Sequence, residues 1–226
     1  MAHQVIVLDR NEVPQAVFGD GPLACPILED KHSERLEDGL ETYEITIPED
    51  HEDAAAVASE GFLLIRDREV EGSFRIFRVK NIKGGFARDG RRVLRVYAES
   101  AAIGELNGAI IRPVTWTGAT AVTAVTNTLA GTRWQPGIVE WAGSRTIVVE
   151  NHVTARELLL RLAEEFGGEL RFRAVWQDGR IVARYVDLLQ QRGRRTGKRF
   201  EYRKDIEGLT REEDTTELVT ALIGVG

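Results

Sequence analysis

The sequence has only one cysteine, Cys25, among its 226 residues. A single thiol cannot form a disulfide within the chain, and it cannot supply a cysteine-based zinc site. A lone cysteine is most often a small buried apolar residue. We therefore expect a hydrophobic core, without cross-links or a structural metal, to stabilise the fold.

Long apolar segments are also missing. No run approaches the ~20 residues that a helix needs to cross a membrane. The N-terminal residues Met1-Ala2-His3-Gln4-Val5 lack the basic stretch and the apolar segment of a secretory signal. We expect the protein to be made in a reducing cytoplasm and not to insert into a membrane.

Basic residues are too few for a dedicated nucleic-acid-binding protein. The chain has 30 Lys and Arg against 36 Asp and Glu, which gives a formal net charge of -6. Because neutralisation of phosphates supplies most of the affinity for nucleic acid, this balance argues against DNA or RNA as a ligand. The same balance is compatible with a channel through which DNA passes without specific binding.

The motifs of common active sites are absent from the sequence. Gly19-Asp20-Gly21-Pro22 lacks the lysine and the further glycine of a phosphate-binding loop. The four histidines, His3, His32, His51 and His152, occur singly, and no serine lies in the setting of a nucleophile. We predict no catalytic residues, no metal ligands and no cofactor-binding residues or cofactors, and therefore that the chain is not an enzyme.

Short alternating segments dominate the first hundred residues. Tyr43, Ile45 and Ile47 alternate with Glu44 and Thr46, which is typical of a strand with one buried face. Further strands are predicted at residues 5–8, 61–66, 74–81 and 92–99, and the glycines at 84 and 85 are expected to end the third of these. The pattern indicates a small barrel or sandwich, which we take as a β-barrel domain over residues 1–105.

The middle of the chain combines helices with strands. Thr154 and Glu157 form a capping-box pattern before an apolar stripe, which predicts a helix that ends near Gly167. A hairpin follows, with its turn at Gln177-Asp178-Gly179. Another helix is predicted over residues 117–130 and a turn over residues 134–137. These elements predict an inserted α+β domain over residues 106–190. The fold class of the whole chain is therefore α+β, predominantly antiparallel β.

A polar, basic segment follows this domain. The eight residues from Arg192 to Arg199 include five basic side chains and no aromatic ring that could stack on bases. We interpret them as a solvated loop, with a subunit interface or a nucleic-acid contact as alternatives. Alternating segments at 199–203 and 217–225 predict the first strands of a second barrel. Residues 191–226 are thus expected to form a linker and the truncated start of another domain.

Four stretches of the sequence match one known family. They are Leu36-Glu37-Asp38-Gly39 with Tyr43-Glu44-Ile45-Thr46-Ile47-Pro48; Phe74-Arg75-Ile76-Phe77-Arg78-Val79; the turn with Gly131, Trp134 and Gly137; and the run from Arg194 through Lys204-Asp205-Ile206 to Leu222. The last stretch is the most specific, because its order and spacing match throughout. The sequence resembles the N-terminal hub region of phage minor structural proteins, also called prophage endopeptidase tail or tail-associated lysin proteins.

The resemblance implies a structural role. Proteins of this family are similar to the baseplate hub of contractile-tailed phages, a homotrimer whose β-barrel domains form a ring that continues the tail tube. Such a ring contacts the distal tail protein and the tape-measure protein, and it surrounds the channel through which DNA leaves. The resemblance also implies a location at the virion tail tip, after assembly in the bacterial host cytoplasm. Any peptidase activity is expected in a C-terminal region that these residues do not include.

Two other classes of function stay open at the level of sequence. One is a tail-associated peptidase or lysin that acts on the host cell wall through scattered carboxylates or histidines. The other is a carbohydrate- or nucleic-acid-binding module that presents tryptophans such as Trp134 or Trp176 on its surface. Packing in the core is the alternative interpretation of those tryptophans. The sequence does not separate an active phage from a defective prophage or a phage-like injection device.

Overall fold

The computed structural model describes residues 4–35, 39–193, 197 and 199. Met1–Arg192 form one compact unit and Gly193–Gly226 a second. All strands and helices given below lie in the first unit. The strands expected at 199–203 and 217–225 lie outside the described residues, apart from Arg199.

Seven strands build the first part of the chain. They are β1 (Gln4–Leu8), β2 (Pro14–Gly19), β3 (Glu29–Glu34), β4 (Glu41–Pro48), β5 (Phe62–Arg66), β6 (Ser73–Phe86) and β7 (Arg92–Ser100). A short 3₁₀ helix, Glu52–Ala56, follows β4. The strands lie in the order β2-β1-β5-β6-β7-β4-β3, and every neighbouring pair is antiparallel. The strands predicted near residues 5–8, 42–48, 61–66 and 92–99 are confirmed.

These strands curve around one core. Tyr43, Ile45 and Ile47 are buried on the inner face of β4, as their alternation predicts, and they pack with apolar side chains of β1, β5, β6 and β7. The outer strands β2 and β3 do not pair with each other in the described part of the chain. A single bridge between Phe18 and Cys25 links β2 to the segment before β3. The strand pairing therefore leaves the sheet open, without the closure of a complete barrel.

Strand β6 is longer than its sequence predicts. The glycine pair Gly84-Gly85 was expected to end it, but β6 continues through both residues to Phe86. The prediction was wrong because β7 pairs with β6 along this whole segment, from Phe77↔Ser100 to Phe86↔Arg92.

Helices and further strands make up the second part of the chain. They are α1 (Ala101–Asn107), β8 (Ile110–Ile111), β9 (Val114–Thr120), α2 (Ala121–Leu129), β10 (Gln135–Val139), β11 (Ser144–Val149), β12 (Val153–Thr154), α3 (Ala155–Phe166), β13 (Glu169–Gln177) and β14 (Arg180–Leu189). β13 and β14 form the expected antiparallel hairpin, and β10 lies parallel to β14. β13 also pairs with β6, so the main sheet runs through both parts of the chain.

Two local predictions in this part need correction. The helix expected over residues 117–130 begins only at Ala121, because the preceding residues pair with β11 as strand β9. The turn expected over residues 134–137 is wrong, because Gln135 begins strand β10 beside β14. The α+β class with predominantly antiparallel strands is confirmed, while the domain boundary near residue 105 stays a prediction. No helix among the described residues is long and apolar enough to cross a membrane.

Helix α3 is the element that its sequence predicts best. The Thr154 hydroxyl accepts a hydrogen bond from the Glu157 N–H at 3.1 Å, and the Glu157 carboxylate accepts one from the Thr154 N–H at 2.8 Å. These two bonds satisfy donors that the first helical turn leaves without partners. Gly167 ends the helix in the left-handed conformation, with φ at 67°. The apolar stripe of α3 is buried in the core of the second part.

Removal of the capping hydroxyl tests this account. We expect Thr154→Ala to lower the free energy of unfolding by about 1 kcal/mol, because a buried helix then loses its N-terminal cap. Thr154→Ser should retain most of the stability, since serine caps as well as threonine. Urea denaturation followed by circular dichroism measures the difference. Equal stability of the alanine and serine variants would contradict the role of the cap.

Candidate functional site: a buried ion-pair network and a charged sheet face

The pairing of β3 with β4 brings a histidine and two carboxylates together. His32 lies opposite Tyr43, and Glu34 lies opposite Glu41. Because side chains alternate along a strand, Glu41 shares the inner face with Tyr43 and is only 4% exposed. The His32 Nε2 atom lies 2.9 Å from Glu41 Oε1. Burial raises the pKa of Glu41, although His32 and Arg75 act against this shift.

Arg75 of β6 lies at the centre of this cluster. Its guanidinium is 4% exposed, with Nε 2.8 Å from Asp67 Oδ2 and Nη1 3.1 Å from Glu34 and 3.4 Å from Glu41. A buried guanidinium is tolerated only where carboxylates compensate for the loss of water. Three different segments of the chain supply these carboxylates. Arg75 therefore ties β3, β4 and the β5–β6 turn to β6.

Arg192 extends the network from the other end of the described chain. Its Nη2 lies 2.8 Å from Glu34 Oε2 and 2.8 Å from Glu69 Oε1, and its backbone N–H donates to Glu169 at 2.7 Å. Burial opposes the ionisation of Glu34 and Glu69, but the nearby guanidinium groups outweigh it and lower the pKa of both carboxyls. Arg192 is the first residue of the predicted basic loop. It serves here as an ion-pair partner within the fold.

Asp187 of β14 closes the network on the side of the hairpin. Its fully buried carboxylate accepts hydrogen bonds from Arg171 at 2.9 Å, from Arg173 at 2.8 Å and from the Ile138 N–H at 2.7 Å. Burial works against ionisation of Asp187, yet these donors hold its pKa below the usual value. A Cβ atom on Gly137 would lie 2.0 Å from Asp187 Oδ1. Glycine at position 137 therefore allows β10 to approach this carboxylate.

The same cluster contains a set of atoms with metal-ligand chemistry. Ligand atoms of His32, Glu34 and Glu41 lie within 4.8 Å of one another. Arg75 contacts both carboxylates, and Arg192 contacts Glu34. A divalent cation would have to displace a guanidinium that already balances these charges. The arrangement is therefore an ion-pair network, and its chemistry fits a fixed structural role.

A second ion-pair cluster joins the β1–β2 loop to the second part of the chain. Glu12 contacts Arg133 and Arg184, and the Trp134 indole N–H donates to Glu105 at 2.8 Å. Arg184 is 5% exposed. Burial lowers the pKa of Arg184, while Glu105 and Glu12 act in the opposite direction. Trp134 is thus a core residue with a satisfied N–H, as the core-packing interpretation of the tryptophans predicts.

The outer face of β3, β4, β7 and β6 carries two rows of polar side chains. One row contains Glu29, Thr46, Arg95 and Lys83, and the other contains Lys31, Glu44, Tyr97 and Asn81. These side chains line an open groove of about 770 Å³. The groove presents both signs of charge, and it does not enclose a small molecule as a catalytic cleft does.

Comparisons with known proteins give a consistent result for the fold. No family model matches the chain, and no curated protein matches it. Among solved structures, a tail protein from Neisseria meningitidis MC58 is similar over 83% of this chain, with a TM-score of 0.52 and 16% identity. The 43 kDa tail protein of prophage MuSo2 from Shewanella oneidensis is similar over 84%, with a TM-score of 0.50 and 11% identity. The chain shares its fold with phage tail proteins.

The expected tail-protein fold is therefore confirmed. This chain spans about half the length of the two tail proteins, 50% and 54% respectively. A weaker likeness, with a TM-score of 0.42 and 14% identity, covers 72% of this chain and 45% of the E. coli c3393 protein. That protein is a component of the type VI secretion system and is described as structurally similar to the T4 bacteriophage tail proteins gp27 and gp5.

The other histidines, the cysteine and the basic stretch were also weighed in the sequence as candidates for chemistry. His51 accepts a hydrogen bond from the Asp53 N–H and caps the 3₁₀ helix. His152 is exposed next to α3, and His3 lies outside the described residues. Cys25 is buried, which raises the pKa of its thiol to about 11. Of the basic stretch, residues 194–196 and 198 lie outside the described residues.

Sequence reasoning missed the His32, Glu34 and Glu41 cluster. The segment Glu29–Glu34 is almost entirely charged or polar, so no apolar alternation marks it as a strand. One feature of the sequence could have indicated the cluster. In β4 every second residue from Ile47 back through Ile45 and Tyr43 faces the core, and the next position in this series is Glu41. A carboxylate at a position that should be buried requires a cationic partner from elsewhere in the fold.

The network predicts a large cost for the loss of its central guanidinium. We expect Arg75→Met to destabilise the protein by roughly 3–5 kcal/mol, because Asp67 would keep a buried charge without a cationic partner and Glu41 would keep only His32. The matched control is Arg92→Met, which removes an ion pair with Glu49 from a side chain that is 66% exposed. That change should cost about 1 kcal/mol or less. Denaturant unfolding of both variants measures the difference, and equal losses would contradict the account.

The lowered carboxyl pKa values predict a loss of stability in acid. Glu34, Glu69 and Asp187 bind protons more readily in the unfolded chain than in the folded one. Their contribution to the free energy of unfolding is therefore present above pH ~4–5 and is lost as the pH falls through their folded-state pKa values. Glu41 acts in the opposite direction, because its pKa is raised in the folded state.

Urea unfolding at a series of pH values tests this dependence with Asp187→Asn. The stability difference between wild type and variant should shrink as the pH is lowered, since wild-type Asp187 then loses the same charge. Glu71→Gln, an exposed change outside the network, controls for the altered net charge. A difference for Asp187→Asn that stays constant down to acid pH would show that its ionisation contributes nothing.

Proposed function

We propose that the chain is a structural component of a phage tail-tip, or baseplate, hub. It would assemble as a homotrimer into a ring that links the distal tail protein and the tail tube to the tip and surrounds the DNA exit channel. The observation that supports this proposal is the fold, which the chain shares over 83% of its length with a tail protein. Its place is then the tail tip of the virion.

The chemistry of the buried polar groups supports a structural part. In the two clusters described above, carboxylates form ion pairs with guanidinium groups, and these ion pairs link strands and loops from distant parts of the sequence. A general acid or base needs a carboxyl or imidazole that can exchange protons with a substrate. In these clusters the carboxylates are already paired with arginine side chains. This pairing favours the interpretation as a rigid scaffold and argues against a peptidase site.

The charge balance supports passage of DNA without specific binding. With a net charge of -6, the chain as a whole repels phosphates. The proposed partners are the distal tail protein, the tape-measure protein and further copies of this chain. The proposal includes the predicted domain organisation of the chain. It consists of a β-barrel domain over residues 1–105, an inserted α+β domain over 106–190, and a linker with the first strands of a second barrel over 191–226. This chain spans about half the length of the similar tail proteins. The complete ring, including the surfaces that this chain does not supply, is therefore part of the proposal.

Electron microscopy of labelled particles tests the proposed location. Antibodies against this chain should label tails from the bacterium that encodes it at one end only, the end distal to the capsid. Tails from a strain in which the coding sequence is deleted provide the control. Labelling along the whole tube, or tails without any label, would overturn the hub assignment. Release of cell-wall fragments by the purified chain would instead favour the lysin alternative.

A further inference from the structure

Two free strand edges flank the sheet of β3, β4, β7 and the outer half of β6. In the described part of the chain β3 pairs only with β4. The pairing of β5 with β6 ends at Arg78, so residues 81–86 of β6 pair only with β7. A free edge presents unpaired N–H and C=O groups that another strand can bind. The sheet therefore has one free edge on β3 and another on β6.

The two free edges differ in charge. The hairpin of residues 82–95, here called the basic arm, contains five basic residues and one acidic residue. Within the arm, Arg91 binds Asp89 and Arg92 binds Glu49. Lys83 and Arg88 are exposed and have no ion pair among the described residues. The other edge begins with the exposed acidic residues Glu29 and Asp30 of β3.

The register of the sheet places opposite charges at the two ends of one row. Lys83 pairs with Arg95, Arg95 pairs with Thr46, and Thr46 pairs with Glu29. Lys83 and Glu29 are thus three strand spacings apart, about 14 Å, within one copy of the chain. They cannot meet in the same molecule. They would meet if the β6 edge of one copy lay beside the β3 edge of another without a shift along the strands.

The strand directions allow such a contact. Three antiparallel steps separate β6 from β3, so the two strands run in opposite directions. When a second copy is placed beside the first in the same orientation, its β3 is antiparallel to the β6 that it meets. Antiparallel edges can form a regular hydrogen-bonded ladder, and Lys83 of one copy would face Glu29 of the next. Phe86, which is 69% exposed near the tip of the arm, adds apolar contact area.

We propose that the basic arm binds the β3 edge of a second copy of this chain, with Lys83 facing Glu29. The contact uses two different surfaces, so it is head-to-tail and generates a ring when the rotation between copies closes. This inference rests on the proposed hub function and names the contact between its subunits. The sheets of neighbouring copies then form one continuous surface.

Charge reversal on the full chain tests the contact. Wild type should self-associate in sedimentation velocity, and less so at high salt, because salt screens exposed charges. Lys83→Glu, and separately Glu29→Lys, should each weaken association at least about tenfold. The two changes combined restore opposite charges and should recover most of the association. Arg112→Glu, a change of an exposed arginine outside the arm, is the matched control and should have no effect.

The possible results separate this inference from the hub assignment. A monomeric wild type, or an association that the charge reversals do not weaken, overturns the arm contact. This holds whether or not antibodies label the tail tip in electron microscopy. Charge-dependent association in a protein that does not label the tail tip would support the contact and overturn the hub function. Circular dichroism and thermal unfolding of each variant show that the fold is retained.

A disulfide test gives an independent readout. Lys83→Cys and Glu29→Cys in one chain should form covalent multimers with oxidised glutathione as the oxidant. The two positions are about 14 Å apart in one copy, well beyond the ~7 Å that a disulfide tolerates between Cα atoms. The native Cys25 is buried and gives little background. Arg112→Cys with Glu29→Cys is the control that should stay monomeric. Equal cross-linking of both pairs, or of neither, would contradict the proposed register.

Discussion

The burial of the Arg75 guanidinium is the constraint on which much of this fold depends. A charged group at 4% exposure is stable only with carboxylates around it, and Asp67, Glu34 and Glu41 come from three separate segments. Arg192 and Arg171 continue the same network to the last described strands. The strand order of the first part and the position of the hairpin β13–β14 are therefore linked through charge as well as through apolar packing.

This constraint also bears on function. Buried ion pairs contribute little net stability compared with apolar packing, but a break in one is costly. A part of a large assembly gains from such groups when they hold its strands in one arrangement. In the cluster with His32, Glu34 and Glu41, Arg75 and Arg192 already bind the carboxylates that a metal ion or a substrate would need. In the proposed contact between copies, the charges at the two free edges of the outer sheet are the ones that meet.

Several elements could be predicted from local pattern alone. Helix α3 follows from its capping box and apolar stripe, and β4 follows from its alternation, because both signals lie within a few consecutive residues. Strand β3 could not be predicted in this way, since its residues are charged and its pairing with β4 is what makes it a strand. The extension of β6 past Gly84 and Gly85 was missed for the same reason, because β7 supplies the partner along the whole segment.

The sequence by itself determined the α+β class and the elements whose periodicity is local. It also carried the resemblance to tail hub proteins, and the fold agrees with that resemblance. Only the tertiary structure decided which charges meet. His32 and Glu41 are nine residues apart, and Arg192 is more than a hundred residues from Glu34 and Glu69. Strand pairing and hairpin packing bring such groups together, and a linear sequence does not reveal pairing partners whose side chains are polar on both strands.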